Sequence, residues 1–416
     1  MHVTRAARRP ARFFYGWVVV GGAFAVMFLG FGCAYSFTAF IAPLQSQFSA
    51  SRGEVSLIFA IAGFLYFALG AVSGPLADRF GPRRVVLAGM AITGAGLMLA
   101  SRADSLWQIY AGYGLGVGVG VGFSYVPAIA AVQRWFVKRR GFASGVAVAG
   151  IGLGTLVVPP VAQALILHLG WRGAYFTLGA ATLILGALVT IAIEAAPEGR
   201  GLGPDGGPPL SPALPDGSAR SPDSGLGEAM RSRTFRLLYF SAFAASLGLF
   251  IPFVHLVPFA EGHGIARGLA IWLLSLIGLG STFGRFVLGG LADRMGRRWA
   301  LFATCLGMAL MLAWWLVSTS FWALALFAVV FGTCYGGFVA LMPALVMDYF
   351  GGRNVSGIIG MLYSSVAVGT LAGPSLAGAA FDLWGNYQLP ITGGVAASLI
   401  SALAVLFLKA PKTAAR

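Results

Sequence analysis

The run Gly74-Pro75-Leu76-Ala77-Asp78-Arg79-Phe80-Gly81-Pro82-Arg83-Arg84 returns in the second half of the chain as Gly289-Gly290-Leu291-Ala292-Asp293-Arg294-Met295-Gly296-Arg297-Arg298. Asp78 and Asp293 stand 215 positions apart, and Pro159 and Pro374 keep that offset. Trp135-Phe136 and Tyr349-Phe350 repeat at 214. Matches within one residue of a common offset point to a duplication of half the chain. What flanks each copy decides the fold. Both copies lie between long runs almost free of charge, of the roughly 20 apolar residues that cross a bilayer as helix.

Working outward, twelve such runs are found. They cover about 14–42, 54–76, 85–101, 106–132, 141–168 and 171–195, then 236–261, 269–291, 299–317, 321–347, 354–380 and 386–408. They are continuously apolar rather than alternating, which argues against a β-barrel. The 60 glycines suit closely packed membrane helices. Composition agrees. Of 416 residues 58% are hydrophobic and 10% charged, whereas a soluble domain averages about 25% charged. That excludes a soluble enzyme and a disordered chain. The net charge of +15 sits in short clusters between apolar runs, which is a topology signal rather than a nucleic-acid surface. Cys33, Cys305 and Cys334 lie inside apolar runs without metal-type spacing, so no disulfide framework, metal site or cofactor is expected. Arg5, Arg8, Arg9 and Arg12 precede an apolar run from Phe13 to Leu44 that is too long for the core of a signal peptide.

The charges orient the chain. Of the 28 Lys and Arg, four (Arg52, Arg102, Arg172 and Arg267) fall in loops on one side, Arg285 lies within a run, and the other 23 fall on the opposite side. That bias predicts both termini in the cytoplasm. Residues 196–235 begin with a Pro- and Gly-rich stretch and read as a flexible cytoplasmic linker. The expected architecture is an all-α membrane protein of twelve transmembrane helices: a six-helix half over 1–195, the linker, and a second half over 236–416.

Twelve runs, a central loop and the doubled Asp-Arg motif resemble the major facilitator superfamily over nearly the whole chain. Trp135-Phe136-Val-Lys138-Arg139-Arg140-Gly-Phe-Ala143-Ser-Gly145-Val-Ala147-Val-Ala149-Gly150 is similar to the span-5 signature of monocarboxylate transporters. Tyr15-Gly16-Trp17 is similar to the opening of their bacterial relatives, which include oxalate–formate exchangers. The resemblance implies an inner-membrane secondary transporter for lactate, pyruvate or a similar monoanion. It implies alternating access, proton symport and a functional monomer. Organic-anion exchange, or carriage of drugs or sugars, is the alternative within the superfamily. Paired carboxylates, a metal cluster and a nucleophile–base set are all missing from the sequence, so an enzyme is not expected.

Arg285 is the most informative single residue. It lies six positions before its run ends, about 9 Å beneath the interface at 1.5 Å per residue. A charge at that depth is costly and is a functional hypothesis by default. Gly278, Ser281, Thr282 and Gly289 share its face, and acids fall only near span ends. An unpaired guanidinium suits a carboxylate bound by two parallel hydrogen bonds, and family members similarly carry a substrate-binding arginine on span 8. His255, between Pro252 and Pro258, reads either as a packed histidine or as a substrate contact and proton carrier. Tyr35, Tyr125 and Tyr335 are expected to complete a small polar cavity, with Tyr363 and Ser364-Ser365 as weaker candidates. Animal relatives have a lysine where this chain has Tyr35 and an aspartate where it has Ser281, and oxalate exchangers have a span-11 lysine near Ser365. One buried positive charge therefore favours a monoanion, and His255 becomes the proton-coupling candidate. Asp78 with Arg83, and Asp293 with Arg297, are expected to latch one half to the other through arginines and helix N-termini.

Overall fold

The computed structural model describes residues 14–50, 52–207 and 225–409. The N-terminal arginines, the middle of the linker and the C-terminal Lys412 and Arg416 lie outside them. The described residues are almost wholly helical, as an apolar sequence in lipid requires, because every backbone N–H and C=O must be bonded within the protein. In the first half α1 is Gly16–Tyr35, α2 Phe37–Phe48, α3 Arg52–Ala68, α4 Gly70–Phe80, α5 Pro82–Ala100 and α6 Leu106–Ile109. A π-helical turn, Tyr110–Leu115, joins α6 to α7, Gly116–Trp135, and α8 is Arg140–Thr190. In the second half α9 is Leu226–Arg231, α10 Arg233–Leu249, α11 Ile251–Gly262, α12 Arg267–Met295, α13 Arg297–Val317, α14 Phe321–Phe350, α15 Val355–Trp384 and α16 Gln388–Leu406.

Among the described residues ten helices are long and apolar enough to cross a bilayer, or eleven when α3 and α4, bent by 41°, count as one. The 51 residues of α8 include Gly170 at φ 71°, ψ 168°, a non-helical break. As one straight helix α8 would be about 77 Å long, more than twice the hydrocarbon thickness. Exposed Trp107, Trp272, Trp322 and Trp384 cluster near helix ends, where an indole meets both hydrocarbon and headgroups.

The duplicated motif has a local structural cause. Gly81 (φ 86°) closes α4 and Gly296 (φ 91°) closes α12, each donating its N–H to the carbonyl four residues back, of Ala77 and of Ala292. A residue with a Cβ is strained at that φ, so glycine at this place lets each chain turn sharply from one helix into the next. The motif is thus a repeated helix–turn–helix as well as a charge cluster.

The halves meet along two seams. In one, α15 lies against α3 and α4; in the other, α12 lies along α8. Glycines set the spacing in both. A Cβ on Gly360 would collide with the carbonyl oxygen of Gly70, and one on Gly145 with the carbonyl oxygen of Arg285. Close helix approach through small residues is the usual packing device in membranes.

The described ends of the linker are folded rather than flexible. Pro197–Arg200 and Pro204–Gly206 are short 3₁₀ turns. Arg200 forks onto Glu194 at 2.7 and 2.8 Å and lies over the Tyr15 ring, 3.4 Å from its centroid. Asp205 accepts the N–H groups of Val137 and Lys138 at 3.0 and 2.9 Å. Residues 194–207 therefore strap the turn between α7 and α8. The Arg200 fork holds the Glu194 carboxyl below the usual carboxylate range.

Candidate functional site: a buried arginine in an aromatic chamber

Arg285 sits two-thirds of the way along α12 and is fully buried. One turn earlier Ser281 accepts a hydrogen bond from Nη1. Among the described residues Nε and Nη2 find no hydrogen-bond partner. Among the described residues no carboxylate pairs with this guanidinium. Its Cζ lies 5.2 Å from the centroid of the Tyr335 ring, within cation–π range. That contact offsets part of the burial cost, but it leaves two N–H edges unused. A buried polar group in that condition is expensive and is explained when a ligand completes it.

The chamber around it draws on both halves. From α12 come Ile277, Gly278, Ser281 and Arg285; from α8, Ile151, Gly152 and Thr155. Tyr35 from α1, Phe253 from α11 and Tyr335 from α14 close it. Glycine at 152 lets α8 approach α12 beside the guanidinium, since a Cβ there would collide with Thr282 Oγ1 and stand 3.1 Å from Nη1. The cavity measures about 10 Å³, at the lower limit for one water. A small acid enters only if the halves part, so the site is occluded.

The sequence-derived residues divide accordingly. Tyr35 and Tyr335 share the chamber with Arg285. Tyr125 does not line it; its hydroxyl donates to that of Tyr363 at 2.8 Å, across the halves. His255 also lies off the wall. Its Nε2 is 3.0 Å from the Pro374 carbonyl oxygen and its ring is 5.4 Å from that of Tyr387, which ties α11 to α15. Ser364 meets the Tyr239 hydroxyl at 3.2 Å, and Ser365 bonds the carbonyl of Leu362. Phe253, Ile151, Gly152 and Thr155 were not anticipated. Gly152 and Thr155 directly follow the span-5 signature, a signal that could have found them; Phe253 carries none.

At the basic end the two aspartates bridge the halves. Asp78 pairs with Arg134 and accepts the Gly357 N–H at the start of α15, 2.9 Å away. Arg134 also reaches the Gly352 carbonyl at 3.3 Å. Asp293 accepts the N–H groups of Gly141 and Phe142, opening α8, at 3.1 and 3.0 Å. Arg297 joins Asp293 at 2.7 Å and Asp348 at 2.6 Å, and Arg140 reaches Asp348 at 2.9 Å. Arg83 takes no part in these bridges. It donates to the carbonyls of Ile191 and Ile193 at 2.7 and 3.0 Å and stands 3.5 Å from Glu194, all within the first half. The repeat explains the difference between the two clusters. At the 214 offset Asp348 takes the place of Arg134. The first half pairs Asp78 with an arginine directly. The second has an acid there, so Arg297 must bridge two carboxylates and Arg140 is drawn in from the other half. Arg134 and Asp348 were legible in that offset, and Arg140 lies in the span-5 signature.

The fold and site define a multi-pass membrane transporter built from two repeated helical halves. The sequence matches the Major Facilitator Superfamily over residues 22–266 and 237–416, and the chain belongs to that family. Within it the relatives point to the monocarboxylate branch. Monocarboxylate transporter 11 of Homo sapiens is 29% identical over 96% of this chain and 83% of its own length. Monocarboxylate transporter 12-B of Danio rerio is 31% identical over 90% and 82%. The aspyridones efflux protein apdF of Emericella nidulans is 28% identical over 89% and 73%. Among solved structures, the human organic anion transporter MFSD10 superposes with a TM-score of 0.75 at 15% identity, covering 95% of this chain and all of that one. The E. coli fucose:proton symporter FucP reaches 0.71 at the same identity, over 95% and 100%. These two establish the fold.

Proposed function

We propose that the chain carries small monocarboxylates, lactate or pyruvate among them, across the inner membrane by alternating access, with a proton moving in the same direction. The observation that carries this reading is Arg285: fully buried, in a chamber between the halves, with Nε and Nη2 unbonded. A carboxylate is the planar anion that two parallel N–H groups fit. Counting α8 as two spans and α3–α4 as one gives twelve and puts both termini on the cytoplasmic side, as the basic residues favour. The Asp78 and Asp293 bridges then form a cytoplasmic latch that breaks when the carrier opens inward. His255 couples the proton from its place between α11 and α15; protonating it alters the Pro374 contact, and so the packing against α15 of α11, the helix that brings Phe253 to the chamber.

The test is uptake of labelled L-lactate into proteoliposomes, with and without an inward proton gradient. Uptake stimulated by the gradient and displaced by unlabelled pyruvate supports the whole reading. Uptake indifferent to the gradient keeps the substrate class and removes the proton. No lactate uptake by folded protein, with transport of larger or neutral compounds instead, would move the chain toward the efflux function in the name of its relative from Emericella nidulans.

A further inference from the structure

The chamber's far wall belongs to a larger aromatic assembly. Phe253 is the contact point. Its ring stacks on Tyr35 at 6.1 Å and 23°, meets Tyr335 edge-on at 5.5 Å, and touches Phe250 at 6.0 Å. From Tyr35 the chain of rings runs through Phe31 (6.0 Å) to Tyr125 (5.2 Å) and across to Tyr363 (5.2 Å). It returns from Tyr363 through Phe67 (6.0 Å) to Phe250 (5.9 Å), and so to Phe253. The rings close into a belt that crosses between the halves at Phe253–Tyr35, Tyr125–Tyr363, Phe67–Tyr363 and Phe67–Phe250. Of its members only Tyr35 and Phe253 line the Arg285 chamber. Tyr35 carries a hydroxyl in a polar setting. Phe253 is a purely apolar plug, only partly buried, on the short helix α11.

We infer that Phe253 sets the upper chain length of the acid carried. This rests on the reading of Arg285 as the carboxylate site. With the carboxylate held by Nε and Nη2, the substrate's carbon chain must lie against the apolar part of the wall, which is Ile151, Ile277 and Phe253. Ile151 and Ile277 sit on α8 and α12, whose backbones are pinned together by the glycine seam. The wall can therefore yield only at Phe253. Its ring is also the piece that links Tyr35 in the first half to Tyr335 in the second. A longer chain has to displace it before the halves can close. A two- or three-carbon acid displaces it less.

The experiment measures inhibition of L-lactate uptake by a straight-chain series from acetate to hexanoate, in wild type, Phe253→Leu and Phe253→Ala. Truncating a packed ring opens a cavity on the order of 150 Å³, enough to take up a benzene-sized group. Each methylene that leaves water for such a cavity strengthens binding about fourfold. The expected result is a wild-type preference for short acids, and a hexanoate-to-acetate ratio that rises at least tenfold in Phe253→Ala and by less in Phe253→Leu. A ratio unchanged in both variants, in protein that still takes up lactate, overturns the inference and leaves the Arg285 reading standing. If Phe253→Ala does not fold, Phe253→Leu alone decides the matter. Arg285→Ala, run beside them, separates the two failures: if it retains uptake of every acid, the carboxylate reading itself is wrong.

Discussion

Neutralising Asp293 should tip the carrier toward the state open at its basic end. In Asp293→Asn the side chain keeps its shape and loses its charge. Two of its four hydrogen bonds go to Arg297 in the same half, and Arg297 keeps its hold on Asp348, so those change the seam little. The other two, from Gly141 and Phe142, cross the halves. A hydrogen bond to a charged group is worth about 1.5–3 kcal/mol, and an anion at a helix N-terminus up to about 2 kcal/mol in a partly buried place. The carboxylate is 15% exposed, so the lower end applies, about 2 kcal/mol for the seam. That is about 30-fold in the open-to-closed ratio. The assay is labelling of Thr155→Cys, on the chamber wall, by a membrane-impermeant maleimide offered from the basic end. Cys33, Cys305 and Cys334 are first replaced by alanine. A rise in labelling rate of that order is expected, with a similar rise in Asp78→Asn. An unchanged rate in folded protein would refute the latch.

Further expectations follow from the same contacts. Gly360→Ala and Gly145→Ala place a methyl against a backbone carbonyl of the opposing half; both should label faster from the basic end, read with the same maleimide, while Gly393→Ala, whose Cβ meets nothing within 4 Å, should not. His255→Gln should bind lactate like the wild type in equilibrium dialysis, because the imidazole is not on the chamber wall, and should lose the stimulation by a proton gradient in uptake. The Glu194 carboxyl is held low by Arg200, so its contribution to docking residues 194–207 is present above the ordinary carboxylate pKa and is lost as pH falls through the depressed folded value. Limited proteolysis at Arg200 should accelerate on acidification, and Glu194→Gln should be cleaved fast at every pH.

Much of the architecture could be read from the sequence because lipid simplifies the rules: an uncharged apolar run has to be helix. The duplicated motif gave the two halves, and its glycines proved to be positive-φ turns. The α8 break at Gly170 appears in the sequence only as a neighbouring Trp171-Arg172 between two apolar runs. Arg285 was legible because a charge within an apolar run is conspicuous at any depth. Its neighbours were not. Tyr125 and Tyr35 look alike in sequence, about three-quarters of the way along apolar runs and near glycines, yet one bonds to Tyr363 and the other lines the chamber. Phe253 is one of 32 phenylalanines, and nothing local separates a ring on the chamber wall from a packing ring. Arg83 was paired with Asp78 on nearness in sequence. At the 215 offset Arg83 matches Arg298, and Pro82 stands where the second half has Arg297. Arg83 goes to the carbonyls after α8, as Arg298 goes to that of Leu406, and Asp78 finds Arg134 instead.

The central claim is that Arg285 holds the substrate's carboxylate. The most direct measurement is equilibrium binding of labelled L-lactate to purified wild type and Arg285→Ala, with thermal unfolding run alongside to show that both are folded. Removing one partner of a buried charged pair costs about 2–5 kcal/mol, so binding should weaken at least about 30-fold. Wild-type affinity in a folded Arg285→Ala protein would contradict the account.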